Sequence, residues 1–285
     1  MEKLTMFGMP IVFSTEDQKL KAEDKNVNYE DYSRKYSKGM FGLLADNSYL
    51  KEEEPYYDFY KAIVDDSVRA RFSDANLRYD STVIMEGCAG NEFKKTAGHF
   101  HCLIPGKTVS YPELYQVIKG TALFVMQRVN DNTTTDGNMV VQDSILAEVH
   151  AGESIVVPPD FGHCTVNIGS ETMVFVNLVS CDSHNSYESV KSSAGMCCYV
   201  LRNPDGSYRI EKNPHYDFAC QPRIVVPTDS PTLGISKNVP VYTSFLNAPD
   251  TYRYLNDPEG LMSDYFSMLK DKEESRSSIT WASWK

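Results

Sequence analysis

Two histidines one residue apart, His99 and His101, are the residues whose types and spacing most directly suggest chemistry. In an extended strand, residues i and i+2 point to the same face about 7 Å apart, so both imidazoles can face one ion. Glu113 opens the next apolar run, and a hairpin through "CLIPGKTVSYP" would return its carboxylate to their side. His163, which follows "VVPPDFG", is the best candidate for a fourth ligand from a distant strand. These residues predict a metal site of three imidazoles and one carboxylate.

Ordinary polar packing is the alternative for these residues. A His-x-His pair alone is weak evidence for a metal, because partly buried histidines can simply be hydrogen-bonded. The combination favours the metal, since the chain has six histidines and two of them stand at one place while a third follows a Pro-Pro turn. Such a ligand set suits Fe(II), Mn(II), Zn(II), Ni(II) or Cu(II), and spacing does not choose among them. Mixed nitrogen and oxygen ligation with open positions is more typical of catalytic than of structural sites.

The elements that must position these residues are short β-rich runs between about Leu77 and Tyr208. They are "STVIME", "YQVIKG", "ALFVMQRV", "ESIVVPP", "CTVNIG", "TMVFVNLV" and "CCYVLRNPDGSYRI", separated by Gly, Pro, Asn and Asp. Strands at this spacing predict a sandwich or barrel rather than alternating βαβ units. The polar stretch "VNDNTTTDGNMVVQD" is interpreted as a hairpin tip or a long loop.

The two ends of the chain lack this pattern of short β-rich runs, and we predict helices in both. In the N-terminal part, apolar residues follow a rough helical period in two groups: Tyr29, Tyr32, Tyr36, Met40 and Leu43, then Tyr56, Phe59, Tyr60, Ile63 and Val64. Near the C-terminus, Asp257 as N-cap and Pro258 at the first helical position predict an amphipathic helix. The expected division is an N-terminal segment over 1–76, a β barrel over 77–217 and a C-terminal extension over 218–285 that packs on the barrel or on a partner subunit.

Composition and charge exclude several classes of partner. Hydrophobic residues make up 41% and charged residues 24% of the chain, as in globular proteins. The net charge of 28 − 39 = −11 disfavours nucleic acid as a partner and means that an anionic ligand needs local donors. No apolar run has the length of a membrane span, and no signal peptide is expected. Seven scattered cysteines without a Cys-x-x-Cys motif favour reduced thiols in a cytoplasmic protein.

The quoted motifs resemble the cupin superfamily. Its first motif matches His99-x-His101, Glu113 and, after six intervening residues, Gly120; its second matches "GESIVVPPDFGHCTVN", which contains His163. Within the cupins the chain resembles the archaeal-type glucose-6-phosphate isomerases, most specifically in "EFKKTAGHFH" and "VPPDFGHCTVNIG". The resemblance covers about residues 77–217. It implies an all-β fold, a double-stranded β-helix or jelly-roll barrel, here with N- and C-terminal helical extensions, and it implies a homodimer.

The resemblance also implies roles for individual residues. The metal ligands would be His99, His101, Glu113 and His163, around one divalent ion per subunit, with Fe²⁺ the first expectation and Mn²⁺, Zn²⁺ or Ni²⁺ the alternatives. Glu113 and Tyr115 would serve catalysis at the sugar. The positions that match the family's substrate contacts are Thr82, Thr96, Gly98 and Tyr187, of which the first three would hold the phosphate.

Two departures from the family pattern bear on the substrate. The connection from His101 to Glu113 is longer than usual, so the hairpin beside the site is enlarged. In "SCDSHNSY", His184 is displaced by one residue from the place of an expected substrate histidine, whereas Tyr187 fits. The tail beyond Asp217 has no identified counterpart.

The expected activity is metal-dependent interconversion of glucose 6-phosphate and fructose 6-phosphate. Hydrogen transfer between C2 and C1 can pass through a cis-enediol with a base such as Glu113, or through a metal-assisted hydride shift. The sequence leaves both open. A cupin dioxygenase or oxidase is the second hypothesis, because the same ligands hold metals that activate oxygen. A sugar-binding cupin without activity is the third.

Overall fold

A computed structural model describes residues 1–135 and 139–272, and strands dominate both ranges. No helix in these ranges is long and apolar enough to cross a membrane. The helical elements are short. Besides four α-helices, whose bounds follow with their regions, the structure has 3₁₀ turns at Thr5–Phe7, Ser37–Met40, Asn47–Tyr49, Asp66–Val68, Pro231–Leu233 and Pro249–Leu255.

The N-terminal region is mainly extended, so the prediction of two helices there is wrong. Its elements are β1 Glu2–Lys3, β2 Ile11–Ser14, β3 Lys19–Ala22, β4 Val27–Asn28, β5 Asp31–Tyr36, β6 Pro55–Lys61, β7 Val64–Asp65 and α1 Arg69–Asp74. In β6 every second residue is buried, which is the period of a strand and not of a helix. The aromatic residues of this region also fit a rough helical spacing, but cross-strand pairing with β8 decides the outcome.

The central region supplies the strands that the sequence predicts. They are β8 Leu77–Ile84, β9 Cys88–Ala89, β10 Glu92–Phe93, β11 Phe100–His101, β12 Glu113–Lys119, β13 Thr121–Val129, β14 Val140–His150, β15 Ser154–Val157, β16 Gly162–Asn167, β17 Met173–Ser180, β18 Asn185–Ser186, β19 Cys198–Arg202 and β20 Tyr208–Lys212, with α2 Glu188–Ser192 between β18 and β19. The apolar runs quoted above all form strands. The predicted polar tip is shorter than expected because β14 already begins at Val140, and residues 136–138 within it lie outside the described ranges.

Two six-stranded sheets form the body of the fold. The first has the order β15-β12-β17-β8-β6-β5, and the second contains β16-β13-β14. Between β12 and β17 the chain moves back and forth between the sheets, since β12, β15 and β17 lie in the first and β13, β14 and β16 in the second. The pairs within this region are antiparallel. This is the expected all-β double-stranded β-helix, with the site between its sheets.

The C-terminal extension is part of the same body. Its elements are β21 Asp217–Phe218, β22 Arg223–Pro227, α3 Val241–Asn247, α4 Met262–Ser267 and β23 Leu269–Asp271. Because β22 pairs with β14 and β23 with β22, the second sheet continues beyond residue 217, just as β5 and β6 extend the first sheet before residue 77. Gln116 of the barrel bonds the carbonyl of Val239 at 2.8 Å and the N–H of Val241 at 2.9 Å, which fixes the extension to the first sheet.

The predicted C-terminal helix exists but is shorter than expected. It begins at Met262 with Leu261 as N-cap, so Asp257 and Pro258 precede it instead of starting it. Asp257 is engaged elsewhere, in an ion pair with Lys107 at 2.5 Å. Residues 273–285 of the predicted extension lie outside the described ranges.

Candidate metal centre and substrate cavity

Direct backbone pairing brings His99 and His163 together, although 64 residues separate them in the sequence. The N–H of His99 donates to the carbonyl of His163 at 3.1 Å, and the N–H of His163 donates back at 2.9 Å. This isolated antiparallel bridge aligns the segment before β11 with β16. The two imidazole rings stand side by side, with centroids 4.5 Å apart.

His101 and Glu113 complete the cluster from the other side. His101 lies two residues beyond His99 in extended chain, and the Nε2 atoms of these two rings are 3.3 Å apart. Glu113 is the first residue of β12, and its Oε2 lies 3.2 Å from His101 Nε2 and 3.3 Å from His163 Nε2. One ligand atom from each of the four residues falls within 4.8 Å of the others.

The chemistry of these donors fits a metal ion. His101 Nδ1 lies 2.8 Å from the carbonyl oxygen of Tyr111. A carbonyl only accepts hydrogen bonds, so Nδ1 carries the proton, and in the neutral ring Nε2 points its lone pair into the cluster. A carboxylate oxygen and several imidazole lone pairs facing one point repel one another unless a cation lies between them. The four residues can therefore hold a metal.

The ionisation of the cluster agrees with ligation. Burial lowers the pKa of His99 well below its ordinary value, and the charges of His163 and His101 lower it further. Burial also lowers the pKa of His163, against the opposing effect of Glu113. For Glu113 burial raises the pKa, but contacts with His101 and His163 outweigh burial and hold it well below its usual range. Neutral imidazoles and an ionised carboxylate are the forms that bind metals.

Two further side chains fix the groups of this cluster. Asn177 of β17 donates from Nδ2 to Glu113 Oε1 at 2.6 Å, which leaves Oε2 facing the centre of the cluster. The hydroxyl of Tyr115 lies 2.7 Å from His163 Nε2. Burial, and then the charge of Glu113, raise the pKa of Tyr115 well above its ordinary value, so its phenol stays protonated and can donate a hydrogen bond.

A cavity of about 340 Å³ opens directly beside the cluster, between the two sheets. Its walls include every residue that the sequence assigns to substrate or catalysis, namely Thr82, Thr96, Gly98, Glu113, Tyr115 and Tyr187. Of the four metal-type residues, His99, Glu113 and His163 line the cavity, while His101 lies behind them. The structure therefore brings the expected residues into one place, whatever their individual roles.

The segment from Thr96 to His99 has a backbone suited to close approach. The hydroxyl oxygen of Thr96 accepts from the N–H of Thr165 at 3.0 Å, which holds this wall against β16 and leaves the hydroxyl proton free to donate. Gly98 has φ of +84°, and a Cβ at this position would lie 2.7 Å from Met196 Sδ. A side chain at residue 98 would thus be both strained and crowded.

Two features of the sequence prediction look different in three dimensions. His184 is exposed and does not line the cavity, whereas Asn185, the next residue, does and donates to the Tyr187 hydroxyl at 3.1 Å. The enlarged hairpin is a defined loop, since Ser110 and Asp160 exchange two hydrogen bonds of 2.8 and 2.7 Å.

Sequence reasoning missed one wall of the cavity altogether. Ser33 and Lys35 of β5, and Tyr57 and Phe59 of β6, line it from the edge of the first sheet. The signal that could have found them is alternation: in "PYYDFYK" buried and half-buried residues alternate, so Tyr57 and Phe59 share one face. Reading this stretch as a helix placed Phe59 on a packing face with Tyr56 and Tyr60 and left Tyr57 off it.

The fold and the site together define a class of protein, a double-stranded β-helix with three imidazoles and one carboxylate clustered beside a cavity. A family model described as Glucose-6-phosphate isomerase (GPI) matches residues 34–217. The chain belongs to this glucose-6-phosphate isomerase family.

Curated relatives carry the same name. The protein called glucose-6-phosphate isomerase from Thermococcus onnurineus is 27% identical over 172 residues, which cover 60% of this chain and 78% of the relative. Its counterparts from Thermococcus kodakarensis and Pyrococcus furiosus are 28% and 26% identical and cover 78% and 75% of their own lengths.

Two solved structures resemble the chain over part of its length. Vicilin from hazelnut aligns with a TM-score of 0.33 and 14% identity over 46% of this chain and 32% of its own. Oxalate oxidase with glycolate aligns with a TM-score of 0.29 and 17% identity over 39% and 46%.

Proposed function

We propose that the protein interconverts glucose 6-phosphate and fructose 6-phosphate in the cavity between its two sheets. The observation that carries this proposal is the position of the cluster of His99, His101, Glu113 and His163 in the wall of a cavity. A volume of about 340 Å³ lies within the range typical of small-molecule sites. Membership of the isomerase family names the reaction that this arrangement serves.

The four clustered residues would hold one divalent transition metal, and we propose Fe²⁺ first, with Mn²⁺, Zn²⁺ or Ni²⁺ as alternatives. A metal bound there supplies Lewis-acid polarisation of the oxygens on C1 and C2 of the sugar. The protein's contribution is to keep His99 and His163 neutral and Glu113 ionised, and to orient Glu113 through Asn177.

The neutral phenol of Tyr115 is a proton donor in the cavity wall beside the cluster. Its raised pKa keeps the proton on the oxygen, so it can donate to a sugar oxygen that gains negative charge. Glu113 is the carboxylate able to carry a proton between C2 and C1 if the transfer passes through an enediol. Turnover in D₂O separates the routes, because a proton transfer incorporates solvent deuterium and a hydride shift does not.

The phosphate would bind at Thr82, Thr96 and Gly98, with Tyr187 beside the sugar. Thr96 uses its oxygen as an acceptor toward Thr165 and so has its hydroxyl proton for an anion. Hydroxyl and backbone donors on the cavity wall allow a chain of net charge −11 to bind an anionic substrate locally.

A coupled isomerase assay on metal-free protein tests the function. Fe²⁺, Mn²⁺, Zn²⁺ and Ni²⁺ are added back separately under anaerobic conditions with fructose 6-phosphate as substrate. We expect conversion with at least one metal and without oxygen uptake. Absence of conversion with every metal and both hexose phosphates would refute the proposal. In a parallel assay in air, oxygen-dependent consumption of the substrate would favour an oxidase. Binding of the sugar phosphate without conversion would favour a simple sugar-binding protein.

We also propose a homodimer and a cytoplasmic location. The scattered cysteines favour a reducing compartment, and cupin barrels often pair through their sheets. Sedimentation at two protein concentrations and fractionation of expressing cells test these two predictions independently of activity.

A further inference from the structure

Three cationic residues line the cavity, and they differ in their partners. Arg34 donates two hydrogen bonds to the buried carboxylate of Asp58, at 2.7 and 2.8 Å, and Arg78 is paired with Asp80 at 2.9 Å. Both guanidinium charges are therefore balanced within the protein. Lys35 has no carboxylate within ion-pair distance among residues 1–135 and 139–272.

A second lysine, Lys191 of α2, approaches the same part of the cavity and likewise has no carboxylate partner in the described ranges. Each lysine lies over the ring of a cavity-lining tyrosine. Lys35 Nζ is 5.5 Å from the ring centroid of Tyr57, and Lys191 Nζ is 5.7 Å from that of Tyr187. The ring of Tyr187 is in turn 5.5 Å from the ring of His99. Lys35 thus lines the cavity beside Tyr57, and Lys191 approaches its wall at Tyr187.

The charge of Lys191 acts on the ammonium group of Lys35. Burial lowers the pKa of Lys35, and the charge of Lys191 lowers it further. Two like charges held together without an acidic partner are unfavourable until an anion lies near both. In a chain of net charge −11, such a pair beside a cavity is a local exception to the overall field.

We propose that Lys35 and Lys191 form a cationic clamp for the phosphate group of the sugar phosphate and set the preference for phosphorylated over unphosphorylated hexose. The inference rests on the proposed function, which it deepens. The phosphate would lie between the two lysines and the wall at Thr96 and Gly98, with the sugar reaching inward to the cluster. Register supports this, because Lys35 pairs with Tyr57 and thus shares the cavity face of the first sheet.

The test uses Lys35→Met, Lys191→Met and the double variant in the metal-loaded protein. A charge-assisted hydrogen bond to phosphate contributes enough that losing each lysine should raise KM for fructose 6-phosphate roughly tenfold, and losing both roughly a hundredfold. We expect kcat to stay close to that of the unmodified protein, because the clamp holds substrate and transition state alike. The dissociation constant for inorganic phosphate, measured by calorimetry, should weaken in parallel, while turnover of unphosphorylated fructose should not change.

Two control variants isolate the clamp from general charge and from misfolding. Lys38→Met removes an exposed lysine of the same segment that is paired with Glu52, and it should leave phosphate affinity unchanged. Lys35→Arg keeps the charge and should retain most of the phosphate affinity.

Three outcomes decide between the clamp and the proposed function. The clamp is overturned if the double variant binds phosphate and fructose 6-phosphate like the unmodified protein, or if Lys38→Met weakens them equally. If phosphate affinity falls only in the Lys35 and Lys191 variants while no preparation isomerises sugar, the clamp stands and the proposed function fails. If the unmodified protein binds no inorganic phosphate and KM is the same in all variants, the clamp is wrong whatever the activity.

Discussion

The two ends of the cavity are built by different means. At the metal end, three of four clustered residues are almost fully buried, and backbone pairing between His99 and His163 fixes them. At the mouth, Lys35 is half-buried and Lys191 exposed, and each lies over a tyrosine ring. Strand pairing fixes the residues of the metal end. The mouth is formed by side chains from the edge strand β5 and the short helix α2.

This difference shows where the protein places the groups for chemistry and where it places the groups for recognition. Groups that must hold an ion need positions fixed by strands and by a surrounding shell of hydrogen bonds. Groups that recognise an anionic tail work through charge and tolerate more variation in position. Substitutions at the two ends should accordingly separate loss of turnover from loss of substrate affinity.

The largest effect is expected from His163→Ala at the metal end. Charge stabilisation by a bound metal supplies several kcal/mol, and about 1.4 kcal/mol corresponds to a tenfold change in rate. Isomerase activity should therefore fall by roughly three orders of magnitude. Metal content measured by mass spectrometry should fall with it, while circular dichroism remains that of the unmodified protein. His150→Ala removes an exposed histidine at the end of β14 and serves as the matched control. Full metal occupancy in His163→Ala would show that His163 is not a ligand.

Asn177→Ala should have the next largest effect, because it frees Glu113 without touching the imidazoles. Losing a partner that orients a ligand costs about 10–100-fold in metal affinity or activity. Titration of metal-free protein with Mn²⁺, followed by electron paramagnetic resonance, measures the affinity directly. Unchanged affinity in a folded variant would mean that the 2.6 Å bond from Asn177 does not position Glu113.

Gly98→Ala tests the junction between the two ends. Positive φ costs a non-glycine residue about 1–2 kcal/mol, and here a Cβ would also meet Met196 Sδ at 2.7 Å. Gly106→Ala is the matched control, since Gly106 has φ of +77° but nothing within 4 Å of a built Cβ. Urea denaturation should show a loss of unfolding free energy in both variants and a larger loss in Gly98→Ala. Equal losses would mean that Met196 moves aside at no cost.

Thr82→Val should have the smallest effect and should change only the affinity for the substrate. The substitution keeps the shape of a buried strand residue and removes one neutral hydrogen bond to phosphate, worth about twofold to tenfold in KM. Steady-state kinetics on fructose 6-phosphate should show the higher KM with kcat retained. Thr121→Val, at the half-buried start of β13, should leave both unchanged. A fall in kcat without a change in KM would place Thr82 at the reacting end instead.

The metal end was predictable because its signals are local. The spacing of His99 and His101, the position of Glu113 at a strand start and the turn before His163 each follow from the period of a strand or from a turn residue. The regular strands between residues 77 and 212 also followed from short apolar runs with clear breaks. These features can be predicted because residues close together in the sequence determine them.

The mouth was not predictable for the opposite reason. The aromatic residues from Tyr29 to Val64 satisfy a rough helical period and a strand period, and only pairing of β6 with β8 selects the strand. Lys35 reaches the cavity through that pairing, and Lys191 through the approach of α2. No local pattern marks either lysine as different from the other lysines of the chain.

The sequence by itself determined the barrel, the four clustered residues and the family to which they point. Only the tertiary structure decided that the terminal segments extend both sheets, that Asn185 rather than His184 faces the cavity, and that two lysines remain without carboxylate partners beside it among the described residues. The physical reason is that strand period and turn chemistry act over a few residues. Sheet edges, burial and charge pairing depend on segments that meet only after the chain has folded.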